Sequence, residues 1–533
     1  MALAPQFKTG IAPSARACPP DPEPAASSPA HLPASSQRPG PSSSRARAAR
    51  SLAFLLPCAL LFLSACKPVG PNYNRPGYNA PAAYKETGAS SVIPPPNPVG
   101  GAWQPANPSD GLLKGKWWEI YHDPQLNQLE ERIATTNVEL RQALETYLAA
   151  RDQVVAARAN LYPTLSAGVS PQGLKNSANA PYSSPSNAAI AADLTIAGQA
   201  SWEPDFWGRI RRTVEQAQAQ AQATAAQTAN VDLTLHAEMA TDYFALRGLD
   251  SQIQLLTQTV ADLQHQLDLT QKRFVGGVAT AVDVAQAQTQ LETVRAQLVD
   301  LGVARAQYEH AVGTIANYDL SAFSIPPSPL DLALPGIPLG VPSQLLQRRP
   351  DISAQERLAD ADNAQIGIAV SAFYPTITLG ATGGFQSAHP GTWIQGPSSL
   401  WTLGAQATEL LFDAGQRRAL TQFARHTYDA QADGYRNTVF LAFEDVEDQL
   451  ASLRILEQEA QVEQNAVTAA QQSFSLSNAR YKGGVANYLE VLLAEQTLLQ
   501  DQVTAINIQS RQFAASVSLV RALGGGWDVS QLP

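Results

Sequence analysis

The sequence is poor in cysteine, and the body of the chain has none. All three cysteines, Cys18, Cys58 and Cys66, fall in the first eighth of the 533 residues. The rest of the chain therefore builds neither a disulfide framework nor a zinc site with thiolate ligands. This usage is compatible with an oxidising compartment, where stray thiols are a liability.

Charge is also scarce, and positive charge is in deficit. Charged residues make up 15% of the chain and the formal net charge is −10. Proteins that bind nucleic acids carry basic patches that neutralise phosphates, so nucleic acid is not an expected partner.

The sequence lacks the motifs of enzymes and metal sites. Its seven histidines are scattered, with no HExxH pair, and no nucleophile elbow is present. We therefore predict no enzymatic activity, no cofactor and no metal. Four of the histidines fall on predicted helices, where we expect them on polar faces: His236, His265, His310 and His426.

Proline is absent from two long stretches, residues 209–316 and 416–523. In both stretches apolar residues recur at alternating steps of four and three, which is the seam of a coiled coil. The two seams are Leu249, Ile253, Leu256, Val260, Leu263 and Leu267, and then Val439, Phe443, Val446, Leu450 and Leu453. Each limb before a GlyGly pair has about 65 residues, so its helix would be roughly 100 Å long.

The chain contains one strongly apolar run, and that run is short. It reads LAFLLPCALLFLSAC and directly follows a basic cluster of Arg45, Arg47 and Arg50. A positive segment followed by a short apolar core, broken here by Pro57, is typical of a secretory signal peptide rather than a spanning helix. A buried core element is the alternative. We predict a leader and lipoprotein signal peptide over residues 1–65.

The end of this run, LSAC, resembles the bacterial lipobox. The resemblance implies cleavage before Cys66 and acylation of its thiol, for example with palmitate. In such signals an Asp after the cysteine favours retention in the inner membrane, whereas Lys67 stands here, which implies delivery to the outer membrane. Residues 66–110 are rich in Pro, Gly and Asn, and are predicted to form an extended, lipidated N-terminal strap.

Two short phrases recur 207 positions apart, since RFVGGVATAVDV begins at Arg273 and RYKGGVANYLEV begins at Arg480. Glycine reaches positive φ without steric cost, so each GlyGly pair suits a tight reversal between two helices. Helix caps with no partner are the alternative, although they do not account for the matching Arg, Val and Ala residues.

A second repeat marks the other end of the long helices, where NLYPTLSAGVS is matched by AFYPTITLGAT. Pro163 and Pro375 cannot continue a helix, and alternating β-rich sequence follows each of them. Return strands lead to Gly208 and Gly415, which are again 207 positions apart. Each half is therefore predicted to contain a helix, a β-hairpin, a long helix, a GlyGly turn and a helix.

These signals give a predicted domain organisation with an internal two-fold repeat. It consists of a first repeat over 111–320 with its β-hairpin at 163–206, a Pro-rich linker over 321–342, and a second repeat over 343–533 with its β-hairpin at 375–412.

The predicted strands are about ten residues long and carry aromatic residues near their helix-proximal ends, as in a membrane β-barrel with an aromatic girdle. The aromatic residues are Tyr162, Trp202, Phe206, Trp207, Tyr374 and Phe412. A soluble sandwich with an aromatic core is the alternative. Four strands in lipid leave two open edges. Two copies would give a filled barrel, whereas three copies would give twelve strands and a lumen, so a channel predicts a homotrimer.

Taken together, the lipobox, the YPTL and YPTI junctions, the WEPDFWGRIRR and LLFDAGQRRA junctions and the paired glycine phrases resemble the TolC-like outer membrane efflux proteins, particularly their lipidated, NodT-type members. The resemblance implies an α+β membrane protein, with a trimeric 12-stranded barrel continuous with a periplasmic α-helical barrel. It implies a passive exit duct for small toxic compounds or drugs, with a periplasmic adaptor and an inner-membrane efflux pump as partners. Type I protein secretion is the alternative within this class, and a secreted coiled-coil scaffold is the alternative outside it.

The resemblance also assigns roles near the glycine phrases. Contacts with the adaptor are expected at two equivalent tips, Arg273, Gly276, Gly277 and Val278, and Arg480, Gly483, Gly484 and Val485. A periplasmic gate is expected at Asp283, Glu490 and Leu493, because a ring of three carboxylates attracts cations and repels itself. Leu493 stands where the family often has a second acid, so an apolar constriction is expected there. Ordinary solvated helix charges are the alternative for both acids.

Overall fold

The computed structural model describes residues 67–78, 80–89, 92–93, 115–175, 177, 190–339 and 342–526. The predicted leader and the predicted lipidation site Cys66 lie outside these residues. Among the helices described, none has the length and apolarity that a membrane span requires.

Eight α-helices dominate the described part of the chain. They are α1 (Pro124–Thr136), α2 (Val138–Ala159), α3 (Arg209–Val275), α4 (Ala281–Ile315), α5 (Pro342–Arg348), α6 (Pro350–Ser371), α7 (Gln416–Lys482) and α8 (Tyr488–Ala522). The two longest, α3 and α7, have 67 residues each. At 1.5 Å per residue each is roughly 100 Å long, the length that the proline-free stretches predict.

In the ranges given above, six strands accompany these helices: β1 (Val92–Ile93), β2 (Thr164–Lys175), β3 (Ile190–Trp202), β4 (Ile337–Pro338), β5 (Thr376–Ser387) and β6 (Ser399–Thr408). The four long strands form one antiparallel sheet in the order β2-β3-β5-β6. The short β1 and β4 pair in parallel, which the sequence did not predict.

The four-stranded sheet has one apolar and one polar face. Directly opposite residues on neighbouring strands share a face of the sheet. Val169 lies opposite Ile196, which lies opposite Phe385, whereas Thr195 on the other face lies opposite Gln386. The alternation predicted from the sequence therefore separates apolar from polar side chains across all four strands.

Proline and glycine mark the points where helices and sheet meet. Pro163 and Pro375 each stand directly before a strand, β2 and β5. Gly208 and Gly415 precede α3 and α7 with φ of 84° and 90°, a left-handed conformation that favours glycine. Gly208 has a second reason to lack a side chain, because a Cβ atom there would lie 2.5 Å from the Cα atom of Pro68.

The two longest helices, α3 and α7, make most of the contacts between helices. Helix α3 packs against α2, α4, α6 and α8, and α7 packs against α6 and α8. The predicted seam of α7, from Val439 to Leu453, is buried as expected. One core gathers Tyr121, Phe244 and Phe513, and Phe244 lies near the middle of α3. A second, smaller core lies close to the glycine turns.

Residues 67–78 and 80–89, which we call the strap, run along the helices. The Val69 amide donates to the Trp207 carbonyl at 2.9 Å, next to the end of β3. Further along, Arg75 pairs with Glu356 at 3.1 Å. These contacts hold the strap to helix α6 and to the junction between sheet and helices.

Candidate functional site at the glycine turns

The first glycine turn joins α3 to α4. Gly277 has φ of 76°, and the carbonyl of Arg273 accepts hydrogen bonds from the amides of Val278 at 2.9 Å and Ala279 at 3.3 Å. These bonds satisfy a carbonyl at the end of α3 that the helix itself leaves free. The glycine supplies the left-handed residue that closes such a turn.

The second glycine turn, between α7 and α8, repeats this geometry. Gly484 has φ of 73°, and the Arg480 carbonyl accepts from the Val485 amide at 3.0 Å. Gly483 caps α7 by donating to the Ala479 carbonyl at 2.9 Å. The two phrases that repeat in sequence thus fold into two equivalent turns.

The equivalent arginines of the two turns have different partners. Arg273 lies over the ring of Tyr481 at 4.6 Å and donates to the Tyr481 carbonyl at 3.2 Å, so it joins α3 to α7. Arg480 instead pairs with Glu490 at 3.5 Å across its own turn. The first arginine connects the α3–α4 hairpin to the α7–α8 hairpin, and the second stays within one hairpin.

Further polar contacts connect the two helical hairpins. Thr270 on α3 and Tyr481 on α7 have their hydroxyl oxygens 3.4 Å apart. Gln496 on α8 donates to Gln290 on α4 at 2.7 Å. The packing of the two hairpins therefore combines apolar burial with side-chain hydrogen bonds.

The two acids predicted for the gate have different local roles. The Asp283 carboxylate accepts from the amide and the hydroxyl of Thr280 at 2.8 and 2.9 Å, while the Asp283 amide donates to the Thr280 hydroxyl. This is a complete capping box at the start of α4. Glu490 has no such role, because Asn487 caps α8 and the Glu490 carboxylate faces Arg480. Leu493 follows on α8 and is 55% exposed.

Replacing Asp283 with Ala should loosen the first turn of α4. Loss of the capping box should cost about 1 kcal/mol of local stability, because an N-cap interaction is worth roughly that much. Hydrogen exchange of the amides at 282–285 should become faster. Glu490→Ala is the matched control and should leave exchange at the start of α8 within experimental error; equal effects at both sites would contradict this assignment.

The sequence reasoning overlooked one acid beside the turns, Glu495. It lies on α8 with only 6% of its surface exposed. Its position could have been found from spacing, because Tyr488, Val491, Glu495 and Leu498 recur at alternating steps of three and four. A carboxyl group thus occupies a place where the coiled-coil seam requires an apolar residue.

His236 was expected on a polar helix face, and this expectation is wrong. The side chain is 4% exposed, and its Nδ1 lies 2.6 Å from Glu130, which is fully buried. Its Nε2 lies 3.4 Å from Asp232, and its ring stacks on Trp118 at 4.3 Å. The histidine is buried because carboxylates on α1 and α3 supply the partners that water would otherwise provide.

The other three histidines, His265, His310 and His426, are exposed as expected. Within the described ranges, no group of three or more metal-ligating side chains lies together. The buried Glu130 and His236 form part of the wall of a cleft of about 910 Å³, which Trp117 and Tyr147 also line.

The chain combines an antiparallel sheet that has one apolar and one polar face with two helices of 67 residues, and each of these helices ends in a glycine turn. This combination defines a class of protein, the outer-membrane channels with long helical extensions. The chain belongs to the outer membrane efflux protein family, which it matches over residues 129–317 and 341–525. The predicted family, TolC-like fold class, efflux function and outer-membrane location are confirmed.

Individual relatives agree with this assignment. The toluene efflux pump outer membrane protein TtgC and the antibiotic efflux pump outer membrane protein ArpC, both from Pseudomonas putida, are each 31% identical over 432 residues. Those matches cover 81% of this chain and 89% of either relative. The solved outer-membrane channel OprN is 25% identical with a TM-score of 0.78, covering 86% of this chain and 99% of OprN.

Proposed function

We propose that three copies of this outer-membrane efflux channel form one passive exit duct. The observation that carries the proposal is the two-faced sheet, which has β2 and β6 at its two ends in the order β2-β3-β5-β6. Among the described strands, both end strands have an unpaired outer edge, which is costly in lipid because no water satisfies the backbone groups there. Three such sheets give twelve strands, enough to close around a lumen.

The exposure of apolar side chains supports the placement of this sheet in the membrane. Leu165, Trp401 and Leu403 are 82%, 79% and 78% exposed, and the strand register places them on the same face as Ile196. An apolar face of this kind suits contact with lipid, while the polar face suits a water-filled interior. Residues 163–206 and 375–412 are therefore the proposed membrane hairpins.

Acylation of Cys66 is proposed as a second attachment to the outer membrane. The first described residue, Lys67, follows Cys66 directly, and the Val69 amide binds the Trp207 carbonyl. Trp207 stacks on Tyr374 at 4.9 Å beside the sheet. A lipid on Cys66 would therefore sit close to the aromatic residues at the end of the sheet, which are typical of a membrane interface.

The glycine turns are proposed as the contact surface for a periplasmic adaptor, which links the duct to an inner-membrane pump. Val275, Val278 and Val485 are 87%, 70% and 70% exposed at the two turns. Exposed apolar side chains that lie together in a patch, rather than singly, mark an interaction surface. The cargo proposed is small toxic compounds, because one of the two relatives is a toluene efflux protein and the other an antibiotic efflux protein.

The gate is proposed at Glu490, Asp283 and Leu493. Three copies of Glu490 around one axis would attract cations, and Leu493 would add an apolar constriction one turn further on. Glu490 should contribute more than Asp283, because its 3.5 Å pair with Arg480 is exposed, whereas the Asp283 carboxylate accepts two hydrogen bonds from Thr280 in the capping box.

Single-channel recordings in planar bilayers test the duct and the gate together. The mature protein should show discrete openings that prefer cations, and Glu490→Gln should reduce this preference several-fold. Asp283→Asn should have the smaller effect, and Glu292→Gln, an exposed acid elsewhere on α4, should have none. Openings that are indifferent to both gate variants would remove the gate assignment, and a folded, stable monomer without conductance would overturn the duct.

A further inference from the structure

Glu495 interrupts the apolar surface through which α8 packs near the glycine turns. The buried residues of α8 in this region are Tyr488, Val491, Leu492, Glu495 and Leu498. All but Glu495 are aromatic or aliphatic. A single polar residue in such a seam lowers the stability of the pair, and proteins retain it where specificity or switching is needed.

The two carboxylate oxygens of Glu495 are unequally satisfied. Oε1 accepts a hydrogen bond from Gln266 on α3 at 3.3 Å. Oε2 is buried without a hydrogen-bond partner among the described residues, as is the hydroxyl of Tyr488 on the same helix. A buried carboxylate in this state is costly, whereas a neutral carboxyl group is far less so.

The groups around Glu495 do not neutralise its charge. On α3, the negative charge of Asp262 repels that of Glu495. On α4, Asp283 adds a further negative charge near Tyr488. On α7, Tyr481 is the neighbouring titratable group, and Arg273 of α3 is occupied with the ring and carbonyl of Tyr481. Burial first, and then repulsion by Asp262, raise the pKa of Glu495 to about 7, against a smaller lowering by the Gln266 hydrogen bond.

We infer that Glu495 is a gating residue, which controls the contact between the α3–α4 hairpin and the α7–α8 hairpin by gaining and losing a proton. The inference rests on the proposed gate at the glycine turns. Helix α8 packs along α3, so separation of the two hairpins exposes Glu495 to water. The packed arrangement therefore favours the protonated carboxyl group, and the separated arrangement favours the carboxylate.

The direction of the pH effect follows from this preference. The packed state raises the pKa of Glu495 above its ordinary value of 4.5, so the contact is fully stabilised below that value. The stabilisation is lost as the pH rises through about 7. Mildly acid conditions therefore favour the packed arrangement of the two hairpins, and alkaline conditions favour the separated arrangement.

Distances between spin labels on the two turns test the inference without relying on conductance. Labels on Val275→Cys and Val485→Cys report one exposed site on each hairpin, and the predicted mature chain has only the acylated Cys66 besides them. The distances are measured by double electron–electron resonance in the reconstituted full protein. The population ratio of packed to separated hairpins in each subunit should fall on the order of tenfold between pH 5.5 and pH 8.

Three variants decide the outcome. Glu495→Gln keeps the shape and removes the proton equilibrium, so the hairpins should stay packed at both pH values. Asp262→Asn should move the transition to lower pH. Gln288→Glu is the matched control, since Gln288 is the exposed counterpart of Glu495 in the first half, 207 positions earlier, and it should behave like the wild type.

A wild type without pH dependence, or a Glu495→Gln variant that retains it, would overturn the inference. The failure of the proposed duct would look different, because conductance would then be absent while the label distances still changed with pH. If Glu490 variants change the conductance but Glu495→Gln leaves the label distances and their pH dependence unchanged, the proposed gate stands and the control of the gate by Glu495 protonation is wrong.

Discussion

Arg212→Ala should destabilise the protein by about 3–5 kcal/mol and release the strap from the helices. Arg212 is 2% exposed, and its guanidinium donates to the carbonyls of Val69 and Gly70 at 3.2 and 3.4 Å and to the Asn72 side chain at 3.0 Å. Truncation removes these three charge-assisted hydrogen bonds, whose acceptors lie on the partly buried Val69 and on the exposed Gly70 and Asn72. It also opens a cavity beside Gly367, against which the arginine side chain packs.

Thermal unfolding and limited trypsin digestion measure the two parts of this effect. The midpoint of unfolding should fall by several degrees, and cleavage after Lys67, Arg75 and Lys85 should become much faster. Arg209→Ala is the matched control, because Arg209 lies on the same helix and forms a pair with Glu203 that is partly exposed. Such surface pairs contribute about 0–1 kcal/mol. An equal response of the two variants would show that Arg212 does not hold the strap.

His236→Ala should cost about 3–5 kcal/mol, because it leaves the fully buried Glu130 without its partner. Burial alone would lower the pKa of His236, but the hydrogen bonds with Asp232 and Glu130 outweigh burial and raise it. Burial also raises the pKa of Glu130, and the contact with His236 opposes this. Both raised pKa values mean that the folded state holds protons more tightly than the unfolded state.

The stability of the wild type should therefore depend on pH in a defined direction. The contribution of His236 is complete below its ordinary pKa of 6.5 and is lost as the pH rises through its raised value. The Glu130 carboxyl group acts in the same direction, because its charged form is the one that burial penalises. Thermal midpoints recorded from pH 6 to pH 9.5 should fall steadily.

A matched pair of variants separates this cluster from general titration. Relative to the wild type, His236→Ala should be most destabilising between about pH 7 and about pH 9, where Glu130 is charged and His236 still holds its proton, and less so in acid. Glu131→Gln removes a neighbouring acid of α1 whose pair with Lys116 is exposed, so it should change stability by less than about 1 kcal/mol at every pH. A His236→Ala variant with wild-type stability at pH 8.5 would contradict the role of the buried pair.

Much of the architecture was predictable because it rests on short-range rules. The absence of proline over 209–316 and 416–523 predicts continuous helices, and the structure has them as α3–α4 and α7–α8. Pro163 and Pro375 end helices because they lack an amide hydrogen, and Gly277 and Gly484 turn the chain because they accept positive φ. The alternation of residues 164–175 and 190–202 predicts which side chains share a face of the sheet.

The partners of individual side chains were not predictable in this way. Arg273 and Arg480 occupy the same place in the repeat, yet one bridges two hairpins and the other pairs with Glu490. The helical period gives the face on which a residue lies, but not the helix that covers that face. His236 was misplaced for this reason, because Glu130 lies 106 positions earlier in the chain.

The sequence by itself determined the repeat, the long helices, the strands and the glycine turns, since each follows from the backbone preferences of a few neighbouring residues. Only the tertiary structure decided which polar groups became buried together: Arg212 with the strap, Glu130 with His236, and Glu495 against Gln266. Desolvation and pairing depend on residues far apart in sequence, and the cost of burying a charge is set by whichever partner the packed chain brings to it.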